Sequence, residues 1–150
     1  MILLIGFGMY NIFFSKVNFE YLYDGVIDLS GLSQTDYENL TSHKAYLFNF
    51  RDKWFDFRNK YLVNDQISKF KFSWQFLVVF TDLNTANGYK IYEISKINKR
   101  FLSLNINLNP KGSVDKTTGF SANARNKIVM IYKVDVGLLS GLYSPKTHFK

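Results

Sequence analysis

The side chains that most often carry catalysis are few and scattered in this chain. Histidine stands only at His43 and His148, and cysteine does not occur. Without cysteine there is no thiol nucleophile, no thiolate metal site and no disulfide. The two histidines lie far apart and form no HExxH or related pair, so the sequence offers zinc no ligand set. No GxSxG elbow, phosphate-binding glycine loop or dinucleotide glycine pattern is present. Asp52 and Asp56 stand at helical spacing, which would place two carboxylates on one face for acid–base work. Arg51, Lys53 and Arg58 surround them, and a mixed charged face of this kind is ordinarily a solvated surface. His43, alone ahead of a predicted strand, reads as a loop residue. The pattern implies no enzyme, no metal and no cofactor, and turns attention to binding.

Charge narrows the partner classes. The chain carries 19 Lys and Arg against 12 Asp and Glu, a net charge of +7. The basic residues are scattered along the chain from Lys16 to Lys150 without a block of like charge. A nucleic-acid footprint clusters on one face and comes with a reader motif, so nucleic acid is not an expected partner. The balance predicts a mildly basic solvated surface, with an acidic partner or an anionic membrane as the alternatives.

The elements that would position any site follow from the patterning. A chain of 150 residues, 47% hydrophobic and 18% aromatic, suits one folded domain. Val17–Tyr23 alternates as a strand, and Asp24-Gly25 is a turn signal. Gly25–Asn39 is expected to be a loop with short extended pieces. Lys44–Asn49 is a short strand. A helix over about 50–61 follows, capped by Asn49, with Phe50, Trp54, Phe57 and Tyr61 on one face. Trp74–Thr81 is a continuous apolar run suited to a central strand. Asp82–Gly88 is a polar connection, Tyr89–Lys96 alternates partially, and Asn98-Lys99 is a turn. Arg100–Asn109 alternates cleanly, with Leu102, Leu104, Ile106 and Leu108 inward and Ser103, Asn105 and Asn107 outward; Pro110 ends it. Lys111–Asn126 is a long polar loop, Lys127–Val136 the last core strand, and 137–150 a weakly patterned tail. The expected fold is β-rich α+β, a mainly antiparallel, sandwich-like sheet with one helix packed on it. Its core is Trp54, Phe57, Trp74, Phe76, Val78, Phe80, Ile91, Leu102, Leu104, Ile106, Ile128, Met130 and Tyr132.

The domain occupies 17–136, and residues 1–16 are a separate hydrophobic segment. Met1–Phe14 holds no charge. It is shorter than the roughly 20 residues of a membrane span and lacks the basic start and small-residue cleavage site of a secretory signal. Three readings stand: the remnant of an export signal or anchor, a short uncleaved anchor, or a buried strand or helix. The first gives an exported or membrane-associated protein, with membrane association through residues 1–14.

With the strands in order, a family resemblance appears. Tyr46-Leu47-Phe48, then Trp54 early in a helix, then the apolar strand Phe76–Phe80 are followed by Asn84-Thr85-Ala86-Asn87-Gly88-Tyr89. Alternating strands at Ile91–Ile94 and Phe101–Leu108, a polar loop and a final strand Ile128–Tyr132 complete the series. This order resembles the C-terminal domain of the protease complex subunit PrcB family, over Leu47–Val134. Thr81-Asp82 stands where members commonly carry a Gly. The resemblance implies a non-catalytic, exported accessory subunit that binds a protease or its precursor, and no catalytic residue carries over. The segment Leu83–Tyr89 also looks like the inhibitory loop of chagasin-like protease inhibitors, although Thr85 replaces the proline. Asp115–Phe120 echoes the same motif. The expected partner-binding residues are therefore Asn84, Thr85, Asn87, Gly88 and Tyr89, with Thr117, Thr118 and Phe120 in the long loop. Tyr89 and Phe120 are the expected aromatic anchors. A purely structural envelope domain is the remaining alternative.

Overall fold

A computed structural model of the chain describes residues 9–10, 14–62, 75–82, 89–114, 125–137 and 139–150. In chain order the elements are β1 (Asn18–Asp28), α1 (Gln34–Thr41), β2 (Ala45–Phe48), α2 (Arg51–Tyr61), β3 (Phe76–Asp82), β4 (Tyr89–Arg100), β5 (Ser103–Val114), β6 (Asn126–Asp135), a 3-10 turn at Ser140–Leu142, and β7 (Ser144–Phe149). One sheet has the order β1-β6-β3-β2 and the other β4-β5-β7. All pairings are antiparallel except β5 with β7. The β-rich α+β class stands, with two helices among the described residues where one was expected.

Three layers follow from two apolar clusters. Between the sheets lie Leu77, Val79, Ile94, Ile97, Leu104, Ile106, Leu108, Met130 and their neighbours. Between the four-stranded sheet and the helices lie Trp54, Phe76, Val78, Phe80, Val129, Ile131, Leu40 and Leu62. β3 and β6 are thus buried on both faces, which is why they read as unbroken apolar runs, whereas β5 has one wet face and alternates. Of the expected core, Phe57 is half-buried and Leu102 is exposed at 55%. Trp74 and the Ile91 side chain lie outside the described parts.

The sheets are tied directly in two places. The Ile94 N–H donates to Tyr132 Oη at 3.3 Å. The residues leading into β1 first pair with β4, with Val17 N–H on the Ile97 carbonyl at 2.9 Å and Lys99 N–H on the Ser15 carbonyl at 2.8 Å.

Several local expectations are corrected. Asp24-Gly25 lies inside β1, which passes a bulge between Tyr21 and Tyr23; the bare Gly25 leaves room for the Tyr23 ring, which a Cβ there would strike. The presumed loop contains α1, whose start is a cap that the spacing Ser33-x-x-Asp36 spells out. Ser33 Oγ accepts from the Asp36 N–H at 3.1 Å and donates to Asp36 Oδ2 at 2.9 Å. The N-cap of α2 is Phe50 rather than Asn49, without a side-chain cap bond, and Phe50 points to solvent. Asn98-Lys99 is strand. The hairpin turns instead at Phe101-Leu102, between the paired Arg100 and Ser103. Phe101 has φ +51° there, a conformation that costs an L-residue about 1–2 kcal/mol and that such turns usually give to Gly. Pro110 does not end β5. It sits at a register shift opposite Tyr92, and β7 pairs with β5 only as far as Leu108, so its missing N–H leaves no gap in either ladder. The tail forms the edge strand β7.

Candidate functional site

Two of the connections between the sheets, β3 to β4 and β5 to β6, leave from one end of the sandwich, while β6 to β7 crosses at the other. β3 finishes with Asp82 opposite Lys127 of β6, and β4 begins with Tyr89 opposite Val114 of β5. The stems of the two loops singled out from sequence are therefore neighbours. Asn84, Thr85, Asn87, Gly88, Thr117, Thr118 and Phe120 lie outside the described residues, as does the Tyr89 side chain.

The base of this loop end is held by an arginine. Arg125 sits immediately before β6, where the long connection returns. Its Nη1 donates to the Leu32 carbonyl at 2.9 Å and to the Ser30 carbonyl at 3.4 Å, and its Nη2 donates to Gln34 Oε1 at 2.7 Å. Its own carbonyl accepts from Leu29 N–H at 3.2 Å. The guanidinium also lies 5.3 Å from the Tyr37 ring centre, with the Lys127 ammonium at 5.9 Å from the same ring. These contacts pin the turn between β1 and α1 to the start of β6. A planar fork with several donors suits this task because it can serve two carbonyls and an amide at once. Nearby, Lys60 and Asp36 join α2 to α1 across an exposed 2.8 Å ion pair. Asp36 is held below the usual carboxylate range, first by its bond to Lys60 and then by Ser33.

A second surface covers the outer face of the β4-β5-β7 sheet. Cross-strand partners share a face, so the registers set Lys96 beside Asn107, Asn98 beside Asn105, and Arg100 beside Ser103, with Lys146 and His148 in the next row. His148 Nε2 lies 3.0 Å from Asn105 Oδ1. A groove of about 570 Å³ runs here, lined by Lys16, Lys96, Lys99, Arg100, three asparagines, His148 and, at its end, Tyr10 and Phe14. The outward Ser103, Asn105 and Asn107 were legible from alternation. The gathering of cations was not, because Lys16 and Lys146 come to this face from distant parts of the chain.

The titratable groups with displaced values are structural in setting. Burial raises the Tyr132 phenol. Partial burial and the Asp24 carboxylate push Tyr21 up to about 12. Burial lowers Lys99, opposed by the charge of Asp135. His43 Nδ1 lies 2.9 Å from Ser42 Oγ on the surface, and Asp52 and Asp56 are exposed on α2. Among the described residues no three His, Asp or Glu side chains are grouped to hold a metal, and no helix is long and apolar enough to cross a membrane. The chain matches no family model, no curated protein and no solved structure.

Proposed function

We propose that this protein is a non-catalytic binding and assembly domain of the cell envelope, which engages a protein partner with the loop end of its sandwich. The observation that supports this most is the adjacency of the two loop stems, at Asp82–Lys127 and Tyr89–Val114. It allows Asn84–Tyr89 and Thr117–Phe120 to act as one surface on a base braced by Arg125. The resemblance to the PrcB family suggests a protease or its precursor as that partner, and an exported location.

The test is recovery of the tagged chain from its own host, with bound proteins identified by mass spectrometry. A protease or precursor recovered in near-equal amount, and lost when residues 84–89 and 117–120 are both replaced by Gly-Ser, supports the reading. Equal recovery after that exchange contradicts it. An activity assay on the recovered protease then separates accessory subunit from inhibitor: the chagasin-like alternative requires that Asn84–Tyr89 block the active site.

A further inference from the structure

The end of the sandwich opposite the loops is built differently. β4 runs from Tyr89 at the loop end to Arg100 at the other, and its 12 residues set the two ends roughly 35 Å apart. At the far end the β4–β5 hairpin closes with Phe101 and Leu102, both solvent-exposed. Aromatic or aliphatic residues are rarely placed at an exposed tip, and here one is kept in a left-handed conformation that glycine would adopt without strain. Leu142 is exposed beside them, since Ser144 N–H is bonded to the Leu102 carbonyl at 2.8 Å. The N-terminal chain arrives at the same place. The Phe14 ring packs edge-on against Phe101 at 4.9 Å and stacks on Tyr10 at 5.7 Å, and Met9 and Tyr10 are exposed.

Cations border this apolar tip. Arg100 directly precedes Phe101, Lys16 follows Phe14 closely, and Lys96 lines the adjoining groove, while Lys99 turns inward over Tyr143. No carboxylate is among that groove's described lining residues. Exposed aromatic and aliphatic side chains edged by Lys and Arg match the interface of an anionic bilayer, where rings sit at headgroup depth and ammonium groups meet phosphates. In the sequence, the tip residues Met9, Tyr10 and Phe14 belong to an uncharged run, Met1–Phe14. The geometry points to the Phe101–Leu102 hairpin and its bordering cations as a docking surface for an anionic phospholipid membrane, which the folded domain would touch through this end while the loop end faces away. This goes beyond the partner reading and uses other residues, so exchange of the two loops leaves it intact.

The experiment is co-sedimentation of the full chain with vesicles of phosphatidylcholine alone and of phosphatidylcholine mixed equally with phosphatidylglycerol. Binding is expected to be at least tenfold stronger on the anionic vesicles and to weaken as salt is raised. The double substitution Lys96→Gln with Arg100→Gln is expected to weaken it, by roughly fivefold per charge. Phe101→Gly is expected to weaken it several-fold while the melting temperature stays or rises, because glycine relaxes the turn. That separates lost docking from lost folding. Equal binding to both vesicle types, or binding unchanged in both variants, overturns the proposal and leaves the N-terminal run alone responsible. Binding to heparin or single-stranded nucleic acid with no vesicle binding overturns it in favour of a soluble polyanion.

Discussion

The two ends of the sandwich differ in what holds them. At the loop end, over the buried Leu29, Phe80 and Ile128, the polar bracing lies at the surface: Arg125 on two carbonyls, and Lys60 with Asp36 in solvent. At the tip end the bracing is buried. Trp54, fully enclosed, meets Phe48 and Phe76 edge-on at 5.5 and 4.9 Å. Close by, the buried Gln75 clamps the exit of β6, its Nε2 donating to the Gly137 carbonyl at 3.1 Å and its Oε1 accepting from Val136 N–H at 2.7 Å. The difference teaches a division of labour. Stability is lodged where burial is deep, and the exposed residues of the loop end can vary at small cost, as a binding surface must.

The largest effect that would break this contrast is at Trp54. Trp54→Ala empties a packed aromatic site and is expected to cost roughly 3–5 kcal/mol in a denaturant titration; a variant as stable as the parent contradicts the buried tip end. Gln75→Ala leaves the Val136 N–H and the Gly137 carbonyl without their partner in a buried setting, an expected loss of about 1–3 kcal/mol by the same titration. Arg125→Ala removes comparable hydrogen bonds from a more exposed place, where water replaces them, and is expected to cost about 1 kcal/mol. If Arg125→Ala proved costlier than Gln75→Ala, the ranking of the two ends would be reversed.

The smallest effect is a pH dependence that sharpens the picture of the sheet between the ends. Tyr132 is raised by burial, and Tyr21, whose ring lies 5.8 Å from it, is raised to about 12. A phenol whose folded value lies above its unfolded value of 10.0 favours folding in its protonated form. Its contribution is therefore complete below pH 10 and is lost as the pH rises through the folded value. Melting temperatures should thus begin to fall above pH 10 and continue to fall toward pH 12. Tyr21→Phe should shallow that decline while leaving the profile near neutrality unchanged.

Much of the fold was legible because burial leaves a periodic mark. β2, β3, β6 and the alternating part of β5 announced themselves through apolar runs and alternation, and Trp54 stood at the right place on its helix. What escaped had weak or misleading local signals. β7 reads Ser-Pro-Lys-Thr-His-Phe and gains its strand form only by pairing along β5. Asn98-Lys99 resembles a turn but is bonded on both sides, to the chain around Lys16 and to Asn105. The turn fell at Phe101, a residue no turn rule selects. α1 escaped although Ser33-x-x-Asp36 spelled out its cap. For the candidate site, the loops could be chosen from length and polarity, but their shared end depends on strand topology. Arg125 and the clustered cations became visible only once distant segments were brought together.

The most direct test of the division between the ends is the affinity of the partner recovered from the host, measured in parallel for the parent chain, the double loop exchange and Phe101→Gly. The account predicts loss of partner binding in the loop exchange and unchanged affinity in Phe101→Gly, with all three proteins folded. Loss in Phe101→Gly with retention in the loop exchange would contradict it and move the partner surface to the tip.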